Sequence, residues 1–198
     1  MVTTNDPELW SRMWSYKDHG KSHDAVYHRQ HAPGFRWLHE SFGTNWRMIE
    51  MQAVIGRIQL RRMPDWQHRR TENATRILDA LDATGLFDVP RPTAEYVHAW
   101  YRAYAFVRPE RLPEGWNRDR IMNQMVALGV PCYSGSCSEV YLEKAFDHTG
   151  WRPVERLPVA RQLGETSLMF LVHPTLTEAD LDRTLWAIAQ LQALATRS

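Results

Sequence analysis

The sequence lacks the features that direct a protein to a membrane, to secretion or to nucleic acid. It contains no apolar run of the ~18 residues that a membrane-spanning helix needs. Its first residues show no basic segment followed by an apolar stretch, so no secretory signal is predicted and a cytoplasmic location is expected. The 24 lysines and arginines nearly balance the 23 acidic residues. This balance argues against a nucleic-acid partner.

Cysteine is also scarce, because only Cys132 and Cys137 are present, with the spacing C-x4-C. Without a secretory signal, this pair favours two reduced thiols over a disulfide. Two thiols are too few for a zinc site unless histidines lie nearby. The four histidines within residues 21–44 follow no ligand spacing of a helix or hairpin; they are His23, His28, His31 and His39. No metal site is predicted.

Residues 21–44 show poor periodicity and are predicted to be mainly loop. Three large aromatic residues in this region would be exposed to solvent in an open loop: Phe35, Trp37 and Phe42. We therefore expect an aromatic-rich, mobile loop that covers a ligand or meets a partner subunit.

The clearest periodic pattern begins after Gly43. Apolar residues then recur on one helical face, at Met48, Met51, Val54, Ile55 and Ile58. Thr44 or Asn45 is predicted to cap this helix, which should run from about 45 to 62 and end near Pro64. A loop that enters a helix N-terminus suits an anion, and Asn45 and Arg47 add hydrogen-bond donors there.

A second helix is predicted from about 65 to 84, with five residues facing inward: Trp66, Ala74, Ile77, Leu78 and Leu81. Arg69 and Arg70 in its first half are interpreted as a solvated face. The stiff segment Val89-Pro90-Arg91-Pro92 predicts a linker and a domain boundary.

The second half of the chain alternates strand and helix patterns. A strand is predicted within 99–107, and a helix capped by Asn117 within 118–128. Two short strands and a final helix that begins at Thr177 follow, with Asp180 placed to complete its cap. The pattern predicts an α+β module with a small sheet covered on one side.

The stretch from Gly43 to Leu60 also carries a specific pattern, G-x-N-x-R-M-x-x-x-Q-A-x-x-G-x-x-Q-L. Three other patterns keep their order around it: V-x-T-N-D at 2–6 with Lys17-Asp18-His19-Gly20, Pro158-Val159-Ala160, and Leu171-Val172-His173-Pro174-Thr175-Leu176-Thr177. Together they resemble the DegT/StrS-type sugar aminotransferases, pyridoxal-phosphate enzymes that act on nucleotide-linked keto sugars. The resemblance covers nearly the whole chain.

The resemblance implies roles for four residues. Asn45 would reach across a dimer interface to the phosphate of pyridoxal phosphate in the partner subunit. Arg47 would meet the nucleotide-sugar, whose diphosphate or carboxylate suits a guanidinium. Tyr133 and Ser134 would hydrogen-bond the sugar, although many family members have a histidine–tyrosine pair in this segment. The intact enzyme is expected to be a homodimer that uses a nucleotide-sugar and an amino-acid donor.

The resemblance also implies a fold and two domains. Residues 1–88 would be the end of the large α/β domain with the interdomain helices, and residues 89–198 the small α+β domain. Together they would form part of a fold-type-I, aspartate aminotransferase-like transferase that depends on pyridoxal phosphate.

Only three lysines are present, Lys17, Lys21 and Lys144, and none lies in the context of the family's Schiff-base lysine. That residue would precede Met1, so the chain is expected to be the C-terminal part of a longer enzyme. It should contain no catalytic residue and be inactive alone. Two alternatives stay open. One is a sugar dehydratase of the same family, with histidine in place of that lysine. The other is a non-catalytic binding or regulatory module, if the chain is naturally complete.

Overall fold

The computed structural model describes residues 2–31 and 38–196 of the chain. Its helices and strands are α1 (Pro7–Lys17), α2 (His23–Tyr27), α3 (Glu50–Ala83), β1 (Phe87–Asp88), β2 (Ala103–Val107), α4 (Arg118–Ala127), β3 (Cys132–Tyr133), α5 (Pro158–Thr166), β4 (Ser167–Phe170) and α6 (Glu178–Ala195). Short 3-10 turns lie at Pro109–Arg111, Val140–Leu142 and Lys144–Phe146. No helix in the described ranges is both long enough and apolar enough to cross a membrane.

The chain divides into two compact units, Met1–Arg61 and Arg62–Ser198. The boundary predicted at 88/89 does not coincide with this division. Leu78 and Leu81 of α3, which precede the predicted boundary, are fully buried in the same core as β2. The assignment of residues 1–88 and 89–198 to the two domains of an intact enzyme stays a prediction.

The first unit begins with α1. The Asp6 carboxylate accepts hydrogen bonds from the amides of Glu8 (2.9 Å) and Leu9 (3.1 Å), and Pro7 occupies the first turn, where its missing N–H costs nothing. The short helix α2 interrupts the region predicted to be mainly loop. Phe42 is 99% exposed, whereas Phe35 and Trp37 lie outside the described residues.

The long helix α3 corrects the prediction of two helices that meet at Pro64. The helix is continuous from Glu50 to Ala83 with Pro64 inside it. Proline there cannot donate to the carbonyl of the preceding turn, which costs about 3 kcal/mol. Burial of the turns that follow, around Ile77 and Leu78, stabilises the helical conformation and outweighs this local preference.

The two parts of α3 differ in exposure. Ala74, Ile77, Leu78 and Leu81 are at most 1% exposed, as their spacing predicts. In the first part of α3, by contrast, the large apolar side chains are exposed to solvent, as are those of the two residues just before the helix. The exposed fractions are Met48 71%, Ile49 54%, Met51 71%, Val54 54%, Ile55 58%, Ile58 41%, Leu60 60% and Met63 52%. We call this set the apolar surface of residues 48–63.

Strands β1 to β4 form one antiparallel sheet in the order β1-β2-β4-β3. Alternate residues of β2 are buried, namely Ala103, Ala105 and Val107, as the two-residue period of a strand requires. They pack in one hydrophobic core with residues of α3, α4 and α6. The predicted α+β class with a small sheet is therefore confirmed.

Two predicted helix caps of the second unit are present. The Asn117 side chain accepts from the amide of Arg120 at 2.9 Å. Thr177 and Asp180 form a reciprocal capping box at the start of α6. Both caps satisfy backbone amides that the first helical turn leaves free.

The interpretation of Arg69 and Arg70 as a solvated face is wrong. The Arg69 guanidinium pairs with the Glu178 carboxylate at 2.5 Å. The Arg70 guanidinium donates to the carbonyl of Trp100 at 3.0 Å. Both partners are far away in sequence, so the local pattern could not reveal them.

We expect Leu78→Ala to destabilise the chain far more than Leu60→Ala, although both residues lie on α3. Leu78 is 0% exposed and Leu60 is 60% exposed. Truncation of a buried leucine leaves a cavity and costs about 2–5 kcal/mol, whereas an exposed substitution typically changes stability by about 0.5 kcal/mol or less. Urea unfolding of the 198-residue chain checks this, and equal losses would show that the buried and exposed parts of α3 are wrongly assigned.

Candidate functional site

Two sequence motifs of the first unit lie side by side. The amide of His19 donates to the carbonyl of Thr44 at 3.1 Å, and the amide of Trp46 donates to the carbonyl of Lys17 at 3.0 Å. Asp18 and Asn45 form the antiparallel bridge between these bonds. The backbone therefore brings the Lys17–Gly20 segment directly against the segment that carries Asn45 and Arg47.

Two glycines allow this close approach. Gly20 has a φ of +87°, and a Cβ atom there would lie 1.7 Å from the carbonyl oxygen of Ser41. A Cβ atom on Gly43 would lie 2.5 Å from the amide nitrogen of Gly20. A side chain at either position would collide with the backbone, so both segments need glycine here.

The side chains of the two segments converge on Arg47. Its Nε donates to Oδ1 of Asn45 at 3.2 Å, and its Nη1 lies 2.9 Å from Oδ1 of Asp18. Its Nη2 lies 3.3 Å from Nε2 of His19. The arginine side chain is still 47% exposed. The structure therefore holds a guanidinium in a defined orientation while one side of it remains open to solvent.

Asn45 does not cap a helix, which corrects the prediction that Thr44 or Asn45 would. The helix α3 begins only at Glu50, and the amide of Ile49 is bound by the Gln52 side chain at 3.1 Å. The backbone around Asn45 is engaged in pairing with Asp18 instead. The side-chain oxygen Oδ1 of Asn45 accepts from Arg47. The side-chain nitrogen Nδ2 has no hydrogen-bond partner within residues 2–31 and 38–196, so this donor is available to a ligand.

Tyr133 and Ser134 lie in the second unit, at the end of β3. Tyr133 is 47% exposed and pairs with Met169 of β4. The carbonyl of Ser134 accepts from Oγ of Ser167 at 2.6 Å and from Nη1 of Arg118 at 3.4 Å. These bonds fix the backbone of the turn, while the Ser134 side chain is exposed.

The turn after Ser134 requires glycine at position 135. Gly135 has a φ of +89°, and a Cβ atom there would lie 2.8 Å from Cε1 of Tyr104. The Tyr104 hydroxyl also lies 3.4 Å from the hydroxyl of Ser136. The hydroxyl groups of Tyr104 and Ser136 are therefore neighbours of the candidate sugar-binding residues.

An ion pair that the sequence did not reveal stabilises the segment that follows this turn. Nε of Arg156 donates to Oε1 of Glu139 at 2.8 Å, and the Tyr141 hydroxyl donates to the same oxygen at 2.7 Å. The Tyr141 hydroxyl also accepts from the amide of Leu157 at 2.9 Å. The hydrogen bonds from Arg156 and Tyr141 hold the pKa of Glu139 at about 2.

The cysteines and histidines show no sign of a metal centre. Cys132 and Cys137 are free thiols, and burial raises the pKa of Cys132 to about 12. The imidazole of His23 contacts aromatic rings of Trp10 and Trp14, with centroid distances of 4.9 and 5.0 Å. Among the residues that the structure describes, no three metal-binding side chains are close enough to hold an ion.

Comparison with known proteins identifies the family. The family model described as the DegT/DnrJ/EryC1/StrS aminotransferase family matches residues 1–189. The chain belongs to this family. Two of the family's motifs, the Lys17–Gly20 segment and the segment that carries Asn45 and Arg47, are the ones that pair in the first unit.

Individual relatives of this family cover nearly all of the chain. The erythromycin biosynthesis sensory transduction protein EryC1 of Saccharopolyspora erythraea is 29% identical over 192 residues, which is 97% of this chain and 46% of that protein. The dTDP-3-amino-3,4,6-trideoxy-alpha-D-glucose transaminase of Streptomyces venezuelae is 28% identical over 96% of this chain and 44% of that protein.

A solved structure is more similar. The aminotransferase from Psychrobacter cryohalolentis superposes with a TM-score of 0.91 and 61% identity, over 98% of this chain and 51% of that chain. The chain therefore spans about half the length of the relatives it matches. It has the fold of part of a fold-type-I aminotransferase of the pyridoxal-phosphate-dependent class, as predicted.

We expect Glu139→Gln to weaken the second unit in a pH-dependent way. The pKa of Glu139 is about 2 in the folded chain and about 4.3 in an unfolded chain. The stabilisation from its charge is therefore complete above about pH 4.5 and is lost as the pH falls towards 2. The difference in urea midpoint between the variant and the unchanged chain should shrink over this range.

The matched control is Glu165→Gln. Glu165 contacts Arg156 as well as Arg161, so Asp88→Asn is the independent second control: Asp88 pairs with Arg108 and its side chain is 64% exposed. We expect a smaller difference with both control variants, because their carboxylates are more exposed than that of Glu139. A difference for Glu139→Gln that stays constant from pH 7 to pH 2 would contradict the role of its charge.

Proposed function

We propose that this chain is the C-terminal part of an aminotransferase that uses pyridoxal phosphate and transfers an amino group to a nucleotide-linked keto sugar. The observation that carries the proposal is the exposed pair of Asn45 and Arg47, held at the bridge with Asp18 in a member of this family. The similarity to the Streptomyces venezuelae transaminase favours amino transfer over sugar dehydration. Surface-polysaccharide or related sugar biosynthesis in the cytoplasm is the setting we propose.

The residues present fit the phosphate of the cofactor. The Asn45 side chain is exposed, and its amide nitrogen is free of partners among the described residues. An amide donor of this kind suits a phosphate oxygen, and a bond to a charged acceptor is stronger than a neutral one. Asn45 would hold the cofactor phosphate of a partner subunit. Pyridoxal phosphate supplies the electron sink for the transfer when it is bound.

Arg47 suits the anionic part of the nucleotide-sugar. Its guanidinium is always charged and presents several donors in one plane, which matches a diphosphate or carboxylate. The contacts with Asp18 and Asn45 restrict its rotation. The entropy lost on binding is then smaller than for a free side chain.

The hydroxyl groups near β3 suit the sugar. Tyr133 and Ser134 are exposed, and the backbone of the turn is fixed by Ser167 and Arg118. A fixed backbone limits the positions that the two side chains can reach, and hydroxyls both donate and accept hydrogen bonds. We propose that they contact the sugar hydroxyls.

The lysines of the chain do not replace a Schiff-base lysine. The Lys17 ammonium lies 4.8 Å from the centroid of the Trp14 ring, and the Lys21 ammonium lies 3.9 Å from the Asp18 carboxylate. Lys144 lies in an exposed 3-10 turn. We propose that the chain is inactive alone and that the catalytic lysine belongs to the rest of the enzyme.

The apolar surface of residues 48–63 supports a homodimer. Its side chains occupy more than one side of the helix, since Met51 and Ile55 lie on one side and Leu60 on the opposite side. A helix that faces water on most sides carries a single apolar stripe, so this segment suits burial against protein. Asn45 and Arg47 directly precede it, within reach of a partner subunit.

We expect Arg47→Ala in the intact enzyme to raise the KM for the nucleotide-sugar more than the KM for the amino donor. A lost hydrogen bond to a charged group costs about 1.5–3 kcal/mol, so the rise should be roughly ten- to a hundredfold. Steady-state kinetics of the two half-reactions measure this. The matched control is Arg111→Ala, at an exposed arginine of the second unit, and equal losses in both half-reactions would indicate a folding role for Arg47.

We expect Asn45→Ala in the intact enzyme to raise the dissociation constant of pyridoxal phosphate roughly ten- to a hundredfold, because one hydrogen bond to a phosphate oxygen is lost. Asn45→Asp should raise it at least as much, since its carboxylate repels the phosphate. Fluorescence titration of the apoenzyme measures the constant. An unchanged constant in both variants would rule out a cofactor role.

Mixed dimers test whether Asn45 acts across the subunit interface. One subunit carries Asn45→Ala and the other lacks the Schiff-base lysine. If Asn45 serves the partner's site, both lesions fall in one site and about half the activity should remain, because the second site is intact. If Asn45 serves its own subunit, each site carries one lesion and the mixed dimer should be as impaired as its parents.

A further inference from the structure

The Asp18 carboxylate is buried beside Arg47. The resemblance to the family implies no role for this residue. Its side chain is only 11% exposed, and its Oδ1 atom has no hydrogen-bond partner of good geometry among the described residues. A buried carboxylate is costly unless nearby positive charge compensates for the lost water. The residues around Asp18 must therefore supply that compensation.

Two cations do so. Nη1 of Arg47 lies 2.9 Å from Oδ1 of Asp18, and Nζ of Lys21 lies 3.9 Å from the same atom. The contact with Arg47 is ionic rather than a well-aligned hydrogen bond, because the distance is short while the geometry of a hydrogen bond is not met.

The other contacts of Arg47 complete its orientation. Nε is engaged by Oδ1 of Asn45, and Nη2 by Nε2 of His19. A guanidinium only donates, so Nε2 of His19 is the acceptor in this contact. Each of the three guanidinium nitrogen atoms of Arg47 (Nε, Nη1 and Nη2) thus has one partner. Arginine has five N–H groups, so donors on Nη1 and Nη2 remain for a ligand.

We propose that Asp18 is a positioning residue that holds the Arg47 guanidinium in the orientation in which it binds the anionic group of the substrate, with His19 as the second support. The proposal rests on the proposed function of Arg47. Asp18 does not touch the substrate itself, because its side chain is buried behind the arginine. Without its charge, Arg47 loses its ionic partner and gains rotational freedom.

A double-variant cycle in the intact enzyme tests the proposal. We expect Asp18→Asn to raise the KM for the nucleotide-sugar about three- to tenfold, in the range for a partly exposed ion pair, with kcat and the donor KM nearly unchanged. In an Arg47→Ala background, Asp18→Asn should add no further increase. Asp18→Glu should recover part of the loss because it restores the charge. Asp24→Asn is the control, since Asp24 pairs with Arg29 and not with Arg47.

A second measurement follows the orientation of Arg47 directly. In the 198-residue chain, the Nε–Hε signal of Arg47 in 15N NMR should be sharp and protected from solvent exchange. Asp18→Asn should broaden it or speed its exchange, while Asp24→Asn should not. If Asp18→Asn does not fold, Asp18→Glu moves the carboxylate and should shift the same signal.

The outcomes separate the two proposals. If Arg47→Ala raises the nucleotide-sugar KM but Asp18→Asn does not, the positioning role is wrong and the proposed function stands. An additive effect in the double variant overturns the positioning role too. If Arg47→Ala has no effect on KM, the proposed function fails, and the NMR signal still decides whether Asp18 holds Arg47, because an unmoved signal overturns that role.

Discussion

The short backbone pairing between residues 17–19 and 44–46 is the constraint on which the candidate site depends. The pairing requires glycine at positions 20 and 43, where any side chain would collide with backbone atoms. It engages the backbone around Asn45 in a bridge and so keeps this residue out of the following helix. The same pairing buries Asp18 beside Arg47. Asn45 and Arg47, the two residues proposed to contact ligands, owe their orientation to these few hydrogen bonds.

Elements with a strong local signal could be predicted from the sequence. The buried face of the second part of α3 follows a helical repeat, and the Thr177–Asp180 box is a local pattern that needs no distant contact. The helix α2 has five residues, too few to show a period. The continuity of α3 through Pro64 depends on burial of its later turns, and that burial is a tertiary effect that a local rule about proline does not include.

The candidate site was predictable only in part, for a related reason. Asn45 and Arg47 were found through a motif, which records residue identity but not contacts. The resemblance implies no role for Asp18, although it lies in the Lys17–Gly20 segment, and no helical or strand period marks it. The pair of Glu139 and Arg156 is separated by 17 residues in a segment without regular helix or strand. Charged residues in such a segment are usually solvated, and only the fold shows that these two are paired.

In both candidate regions, the groups proposed to contact a ligand are held by neighbouring residues. In the first unit, Asp18 balances the charge of Arg47 from a buried position. In the second unit, the Ser167 hydroxyl donates to the carbonyl of Ser134, while the Ser134 side chain is exposed to solvent. Ordering a flexible side chain on binding costs about 0.5–1.5 kcal/mol, and a group that is already held avoids most of this cost. Under the proposed function, the supporting residues therefore fix part of the geometry on which substrate specificity depends.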